Sequence, residues 1–510
     1  MGFDERLYPI FSNPRYTYIF FTLIAFLPRI VAWASIPVDW NSDSYHHWQI
    51  AYMTLKIGLP KGRLWDLNGC EYYWGVIPHL VQALLLGVMS TTSILPYRIL
   101  NIFLAGANTY LIYIIGRDNY YWRVGLSAAL IYAMYPVAGI FDIVALQEPL
   151  ALFFALLSLA LFNTRPGWSG LFLALAAQSR TEYWLVSPLF VAGAVAIERA
   201  SQRIQAFALS WLIAMSLFGF LFRHWTSNAA YPLYWSLFSV FGGWTQRGLG
   251  LPLPRLMMMW LGDKLRAWPG KATGQLLLGS AVALSGSFVH MVRSQWRRYH
   301  LFLFFLISAV VFGPIFVTYF PGDPKHLLYM LRMSLPLAAV GSVLLAYFIY
   351  KVELRLSRKY ARRIPLTLAV VLLELISMNA LLPAYGAFQG ETLNLFDVAD
   401  AASSYYVNGT IVCDHPTANY RLISRWGVSP EDLLSNHYAP HYYGVTDPAR
   451  YAEWFAKHNV TLWLHCGSRS RPVWAVVSRE YPDLLLFKEE VNGIRIYVVN
   501  QTRLDRIIIE

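Results

Sequence analysis

The chain has 510 residues, 56% of them hydrophobic and only 14% charged, and carries a formal net charge of +12. That balance excludes a soluble globular domain and indicates a protein with many membrane crossings. Its basic residues are scattered among apolar runs and form no solvated stripe, so nucleic acid is not expected as a partner. From Tyr385 onward there are 11 Lys and Arg against 14 Asp and Glu, a balance of −3 that leaves +15 for the rest. Basic loops on one membrane face account for that excess.

In chain order, the first apolar run, residues 16–36, is long enough to span and has no small-residue cleavage site, so it reads as an uncleaved first helix. The candidate crossings are 17–36, 94–116, 124–141, 149–163, 169–180, 184–197, 204–222, 274–292, 301–319, 331–350 and 364–384. The pair flanking Arg180 is shorter than the roughly 20 residues of a straight span, which suggests half-helices packed inside the bundle. With the N-terminus in the cytoplasm, the loops 117–123, 163–168, 198–203, 293–300 and 351–363 are cytoplasmic, and each carries Arg or Lys. About eleven crossings then put residues 385–510 outside. This register treats 74–89, with its Pro78, His79 and Gln82, as an interfacial helix of a long first external loop.

Residues 1–384 are thus expected to form a polytopic α-helical membrane domain and 385–510 an extracytoplasmic α/β domain. In the latter, 410–414 and 461–466 read as strands, 417–426 and 448–458 as helices. Residues 484–490 and 494–499 flank the hairpin signal Val491-Asn492-Gly493. The three cysteines leave two options for Cys413 and Cys466, a disulfide or two buried thiols.

Ionisable residues beside apolar runs are costly, and they mark the candidate chemistry. Asp43, in Asp39-Trp-Asn-Ser-Asp43-Ser-Tyr-His-His-Trp48, has two readings: a general base for an acceptor hydroxyl, or a cap of the helix that follows. Asp39 competes with it at the same boundary. His46 and His47 follow one turn later, as phosphate or acceptor ligands or as interfacial histidines. No spacing in the chain completes a metal-ligand set, and no metal or other cofactor is required by any motif.

Asp142 and Glu148, in Phe141-Asp-Ile-Val-Ala-Leu-Gln-Glu-Pro-Leu150, fall in the second external loop. Either could orient a sugar or acceptor; Glu148 could also cap the next helix. Arg180 and Glu182 interrupt two apolar runs, as an internal ion pair or with Arg180 on a phosphate. Lys325, His326 and Arg332 are basic on the outer side of the register, where an anionic ligand or lipid headgroups would explain them. No P-loop, dinucleotide fingerprint or Gly-x-Ser-x-Gly elbow occurs.

Asn41-Ser-Asp43-Ser-Tyr45 in the first external loop, Gln147-Glu148-Pro149 in the second, and Ser179-Arg-Thr-Glu182-Tyr-Trp184 together resemble the GT-C glycosyltransferases. That superfamily includes protein O-mannosyltransferases, lipid A aminoarabinose transferases and oligosaccharyltransferases. The resemblance covers roughly 1–384. The Trp-Trp-Asp signature of oligosaccharyltransferases and the paired Asp-Glu of protein O-mannosyltransferases are absent, which leaves the subfamily open. It implies an inverting transfer of a hexosyl or pentosyl group from a polyprenyl-phosphate carrier to a hydroxyl of a glycan, lipid or protein acceptor. The transfer would take place at the extracytoplasmic face of the plasma membrane or ER. Asp43 and Glu148 are then the catalytic candidates, and His46, His47, Asp142, Arg180, Glu182, Lys325, His326 and Arg332 the substrate-binding ones. The competing expectation is a flippase or transporter of a lipid-linked sugar, against which stand the absence of an internal repeat and the clustering of charges at one face.

Overall fold

The structure, a computed structural model, describes residues 13–65, 67, 74–199, 201–234, 298–319, 328–360, 366–413, 415–435, 448–465 and 477–509. Lys325, His326, Cys70, Cys466, the crossing 274–292 and most of loop 223–273 lie outside them. The described helices in the first part of the chain are α1 (Pro14–Ser35), α2 (Ser42–Met53), α3 (Ile77–Val88), α4 (Leu95–Asn119), α5 (Trp122–Met134) and α6 (Pro136–Phe141). Then come α7 (Glu148–Leu161), α8 (Pro166–Ser179), α9 (Tyr183–Glu198), α10 (Gln202–Thr226), α11 (Tyr299–Tyr319), α12 (Leu335–Tyr360) and α13 (Leu366–Ser403). The remainder alternates: β1 (Thr410–Val412), α14 (Pro416–Trp426), β2 (Leu433–Leu434), α15 (Pro448–Lys457), β3 (Val460–His465), β4 (Leu485–Val491), β5 (Ile494–Val499) and α16 (Gln501–Ile509). The candidate crossings within the described residues fall on helix, except that 124–141 is divided at Tyr135 into α5 and α6, and five helical runs there are long and apolar enough to cross a membrane.

Contacts divide the chain into two compact units: Met1–Val31, Ile102–Asp142 and Gln147–Ala380 in one, Ala32–Asn101, Ile143–Leu146 and Leu381–Glu510 in the other.

The first unit is helical. Apolar side chains such as Leu217, Phe220, Leu372 and Ile376 point outward, which suits lipid. With lipid outside, small residues and polar contacts set the helix spacing. A Cβ on Gly116 of α4 would lie 2.7 Å from Gly125 Cα of α5, so this crossing needs glycine. Between α7 and α8, the Ser169 hydroxyl donates to Ser158 O at 2.8 Å. Deep in the same unit, Arg29 of α1 donates through Nε and Nη2 to Asp142 Oδ2 (3.2 and 2.7 Å) and through Nη1 to Ala133 O.

The ends of these helices sort into two sets. Asp118 and Asn119 at the end of α4, Asn163 after α7, Glu198 and Arg203 around the α9–α10 turn, and Arg298 and Tyr299 entering α11 line one cleft of about 500 Å³. The opposite ends of α7, α8 and α9 carry Glu148, Arg180 and Glu182. At 14 to 16 residues, these helices measure about 21–24 Å between the two sets.

The second unit centres on a five-stranded sheet of order β2-β1-β3-β5-β4. Strand β1 runs parallel to β2 and β3, whereas β5 pairs antiparallel with β3 and β4. Asn492 (φ 50°) and Gly493 (φ 79°) turn the β4–β5 hairpin in the left-handed region, as the sequence predicts. One side of the sheet shares a core with α2 and α3: Tyr45, Trp48, Ala83 and Leu86 cluster with Leu422, Leu462 and Ile496. The unit therefore takes in residues 32–101 and 143–146 as well as the C-terminal part, which a linear split at 384/385 does not contain. Helix α13 likewise continues through Pro383 to Ser403, because Tyr385, Phe388, Val398, Ala399 and Ala402 keep a buried helical stripe. Helix α3, only 12 residues long, is too short for a straight crossing.

Candidate functional site

In the second unit the segment after α1 makes a tight turn into α2. Trp40 is buried against Tyr385 and Phe388, with ring centroids 4.6 and 5.7 Å away. The cap of α2 is Asn41, whose Oδ1 accepts the Asp43 N–H at 2.9 Å. Asp43 is thus not the cap; it lies partly exposed in the first turn, where a carboxylate is favoured by the helix dipole.

Asp39, its competitor, is 1% exposed and bonded inward. Its Oδ1 accepts Asn41 N–H at 3.0 Å, its Oδ2 accepts Ala145 N–H at 2.8 Å, and Arg98 Nε stands 4.0 Å from Oδ2. Burial pushes its carboxyl above the usual range, opposed by Arg98 and the two amide donors. Of the two acids, Asp43 is the one with solvent access.

His46 is partly exposed with Trp74 beside it, ring centroids 5.7 Å apart. His47 is buried, its Nδ1 3.1 Å from His79 Nε2. Since His79 Nδ1 lies 2.5 Å from Gly75 O, which only accepts, it must carry a proton. A neutral His79 therefore accepts at Nε2, and His47 donates from Nδ1, leaving His47 Nε2 as the ring's acceptor.

In the first unit, Glu148 opens α7 without capping it. Its Oε1 is ion-paired with Arg180 Nη1 and lies 3.3 Å from Arg332 Nε. Arg180 also makes a bidentate pair with Glu182: Nε to Oε2 at 2.8 Å, Nη2 to Oε1 at 3.1 Å. Three segments distant in sequence thus gather two guanidiniums and two carboxylates, all largely buried. Among the described residues, the Tyr183 hydroxyl, buried in the same unit, has no hydrogen-bond partner. The three nitrogens of the Arg180 guanidinium are all engaged, Nη1 by Glu148, Nε by Glu182, and Nη2 by Glu182 and Met333 Sδ. Among the described residues, no group of three or more His, Cys, Asp or Glu side chains could hold a metal ion.

The sequence offers Arg180 and Glu182 as an internal ion pair, which the structure contains, and the structure adds Glu148 and Arg332 to it. Asp142 goes instead to Arg29, which sequence reasoning passed over, as it did Arg98 and Asn101. Each of those two arginines is a lone charge in or beside an apolar run, which is the signal that could have found it.

No known-family model matches this chain, and no curated protein matches it in sequence. The chain has the fold of the GT-C membrane glycosyltransferases. It is similar to the Archaeoglobus fulgidus oligosaccharyltransferase tethered with an acceptor peptide containing the NVT sequon, with TM-score 0.53 and 12% identity over 96% of this chain and 74% of that one. It is similar too to the Archaeoglobus fulgidus oligosaccharyltransferase AglB in complex with an inhibitory peptide and a dolichol-phosphate (TM-score 0.51, 13% identity, 98% and 75% covered). A third likeness is to ArnT from Cupriavidus metallidurans in the apo state (TM-score 0.50, 10% identity, 95% and 98% covered). At such identities the likeness is one of fold.

Proposed function

We propose that this protein is an inverting glycosyltransferase that moves a sugar from a polyprenyl-phosphate carrier to an acceptor hydroxyl at the extracytoplasmic face of its membrane. The observation that carries the reading is Asp43: a solvent-accessible carboxylate on the first turn after the first helix, in a fold shared with an oligosaccharyltransferase solved with a dolichol-phosphate. A carboxylate there can take the acceptor's proton as the hydroxyl attacks the anomeric carbon. The carrier phosphate leaves already charged, so its departure needs no acid and is favoured by positioned cations. Within the first unit, Glu148 orients the Arg180 and Arg332 guanidiniums. Convergence of four basic connections on one cleft of the first unit supports the register with the N-terminus cytoplasmic.

The test replaces Asp43 by Asn and by Ala and measures transfer from a polyprenyl-phosphate sugar. Loss of the base is expected to lower kcat by about 10²–10⁴-fold. Transfer at the native rate by both variants would overturn the assignment.

A further inference from the structure

We propose that Asp39 is the positioning residue of Asp43: a buried carboxylate that holds the turn from which the base projects. The inference rests on the reading of Asp43 as that base. It does not touch substrate itself, since Asp39 is 1% exposed and both of its oxygens face protein donors.

Asp39 Oδ1 accepts the Asn41 amide at 3.0 Å, and Asn41 Oδ1 in turn accepts the Asp43 amide at 2.9 Å. The relay from Asp39 to the backbone of Asp43 therefore has two bonds. Ser44 N–H donates to Asn41 O at 3.1 Å and the Tyr45 hydroxyl to Asp39 O at 3.0 Å, so the whole first turn of α2 hangs on this loop. The other oxygen anchors it, because Asp39 Oδ2 accepts the Ala145 amide at 2.8 Å.

The strap 143–146 is itself fastened on the same side. Arg98 donates to Ile143 O and to Pro37 O, both at 2.7 Å, with its guanidinium 3.8 Å from the Trp33 ring centre. Asn101 Nδ2 donates to Val144 O and Leu146 O at 2.7 and 2.9 Å. A buried acid is costly, and one placed where both oxygens meet backbone donors beside a guanidinium is compensated. Only a carboxylate accepts at both ends. An amide at position 39 would set its NH₂ against either Asn41 N–H or Ala145 N–H, whichever way it flips. A turn loosened in this way displaces the base, and misplacement by about 1 Å can cost on the order of 10²-fold in rate.

The experiment uses the full-length protein, a polyprenyl-phosphate sugar donor and the variants D39N, N41G and D39N/D43N. Both single changes are expected to lower kcat about 10- to 100-fold with KM for the donor nearly unchanged. Added to D43N, D39N should cost nothing further, because its effect passes through Asp43; a multiplicative loss in the double variant would overturn the proposal. N41G cuts the same relay without disturbing the Asp39–Arg98 pair, so the test survives if D39N fails to fold. Hydrogen exchange supplies a readout independent of any activity. The Asp43 and Ser44 amides should exchange at least about tenfold faster in either single variant, the difference in opening that one lost bond of ~1.4 kcal/mol makes. Unchanged protection would overturn the positioning role. Absence of transfer by the native protein would instead count against Asp43 as base, with exchange still testing the turn.

Discussion

Arg29 and Asp142 are both under 2% exposed and bonded to one another. In a helical bundle such a pair is neutral at best against apolar packing, yet breaking it strands a charge. R29M or D142L alone is therefore expected to lose about 3–5 kcal/mol of stability. R29M/D142L should recover most of that, as read by thermal unfolding in detergent. Transfer activity separates the two roles considered for Asp142: a substrate contact predicts an inactive double variant, a helix clamp an active one. The sequence offered Asp142 as a loop acid but could not show its partner, which lies 113 positions away. Arg29 sits in the middle of an apolar helix, where a charge without function is rare, and that rule alone points to a buried partner.

At the scale of elements, local signals were legible and long-range ones were not. The hairpin turn Asn492-Gly493, the strands around it and the helical runs between basic loops were all readable, because each depends on periodicity or turn chemistry within a few residues. Of the two readings of Asp43, the cap is the one that fails, since Asn41 two residues earlier caps α2 and only geometry separates the two positions. The extent of α13 was also hidden, because the apolar run ends near 384 and the stripe beyond it shows only once it finds a core. Strand β3 carries a consequence for pH. His465 closes the strand, buried among the Trp463 and Tyr497 rings, and its pKa is lowered by burial first and by Arg495 second. A histidine kept neutral in the fold contributes stability above its unfolded value of 6.5 that is lost as pH falls below it. The native protein is thus expected to lose stability below pH 6.5, at up to about 1.4 kcal/mol per pH unit from this proton. H465Q should flatten that slope; identical melting curves from pH 7 to pH 5 would remove His465 as its source.

For the whole molecule, the decisive property is the order in which charge and apolar surface alternate along the chain. Positive connections recur between apolar runs, and in the first unit four of them converge on one cleft while Glu148, Arg180 and Glu182 stand at the other ends of the same helices. Helix ends of one bundle cannot exchange sides without reversing the helices between them, so this sorting ties the loops to a common face. The positive-inside rule then gives that face its side. The register predicts that a cysteine at Ser201, between α9 and α10, faces the cytoplasm, and that one at Ser404, past α13, faces outside. In a background with Cys70, Cys413 and Cys466 replaced, a membrane-impermeant thiol reagent added to intact cells should label position 404 and leave 201 untouched until the cells are opened. Labelling of both before opening, or of 201 alone, would break the alternation. Because the proposed transfer is extracytoplasmic, such a result would also move Asp43 to the side where the acceptor is not expected.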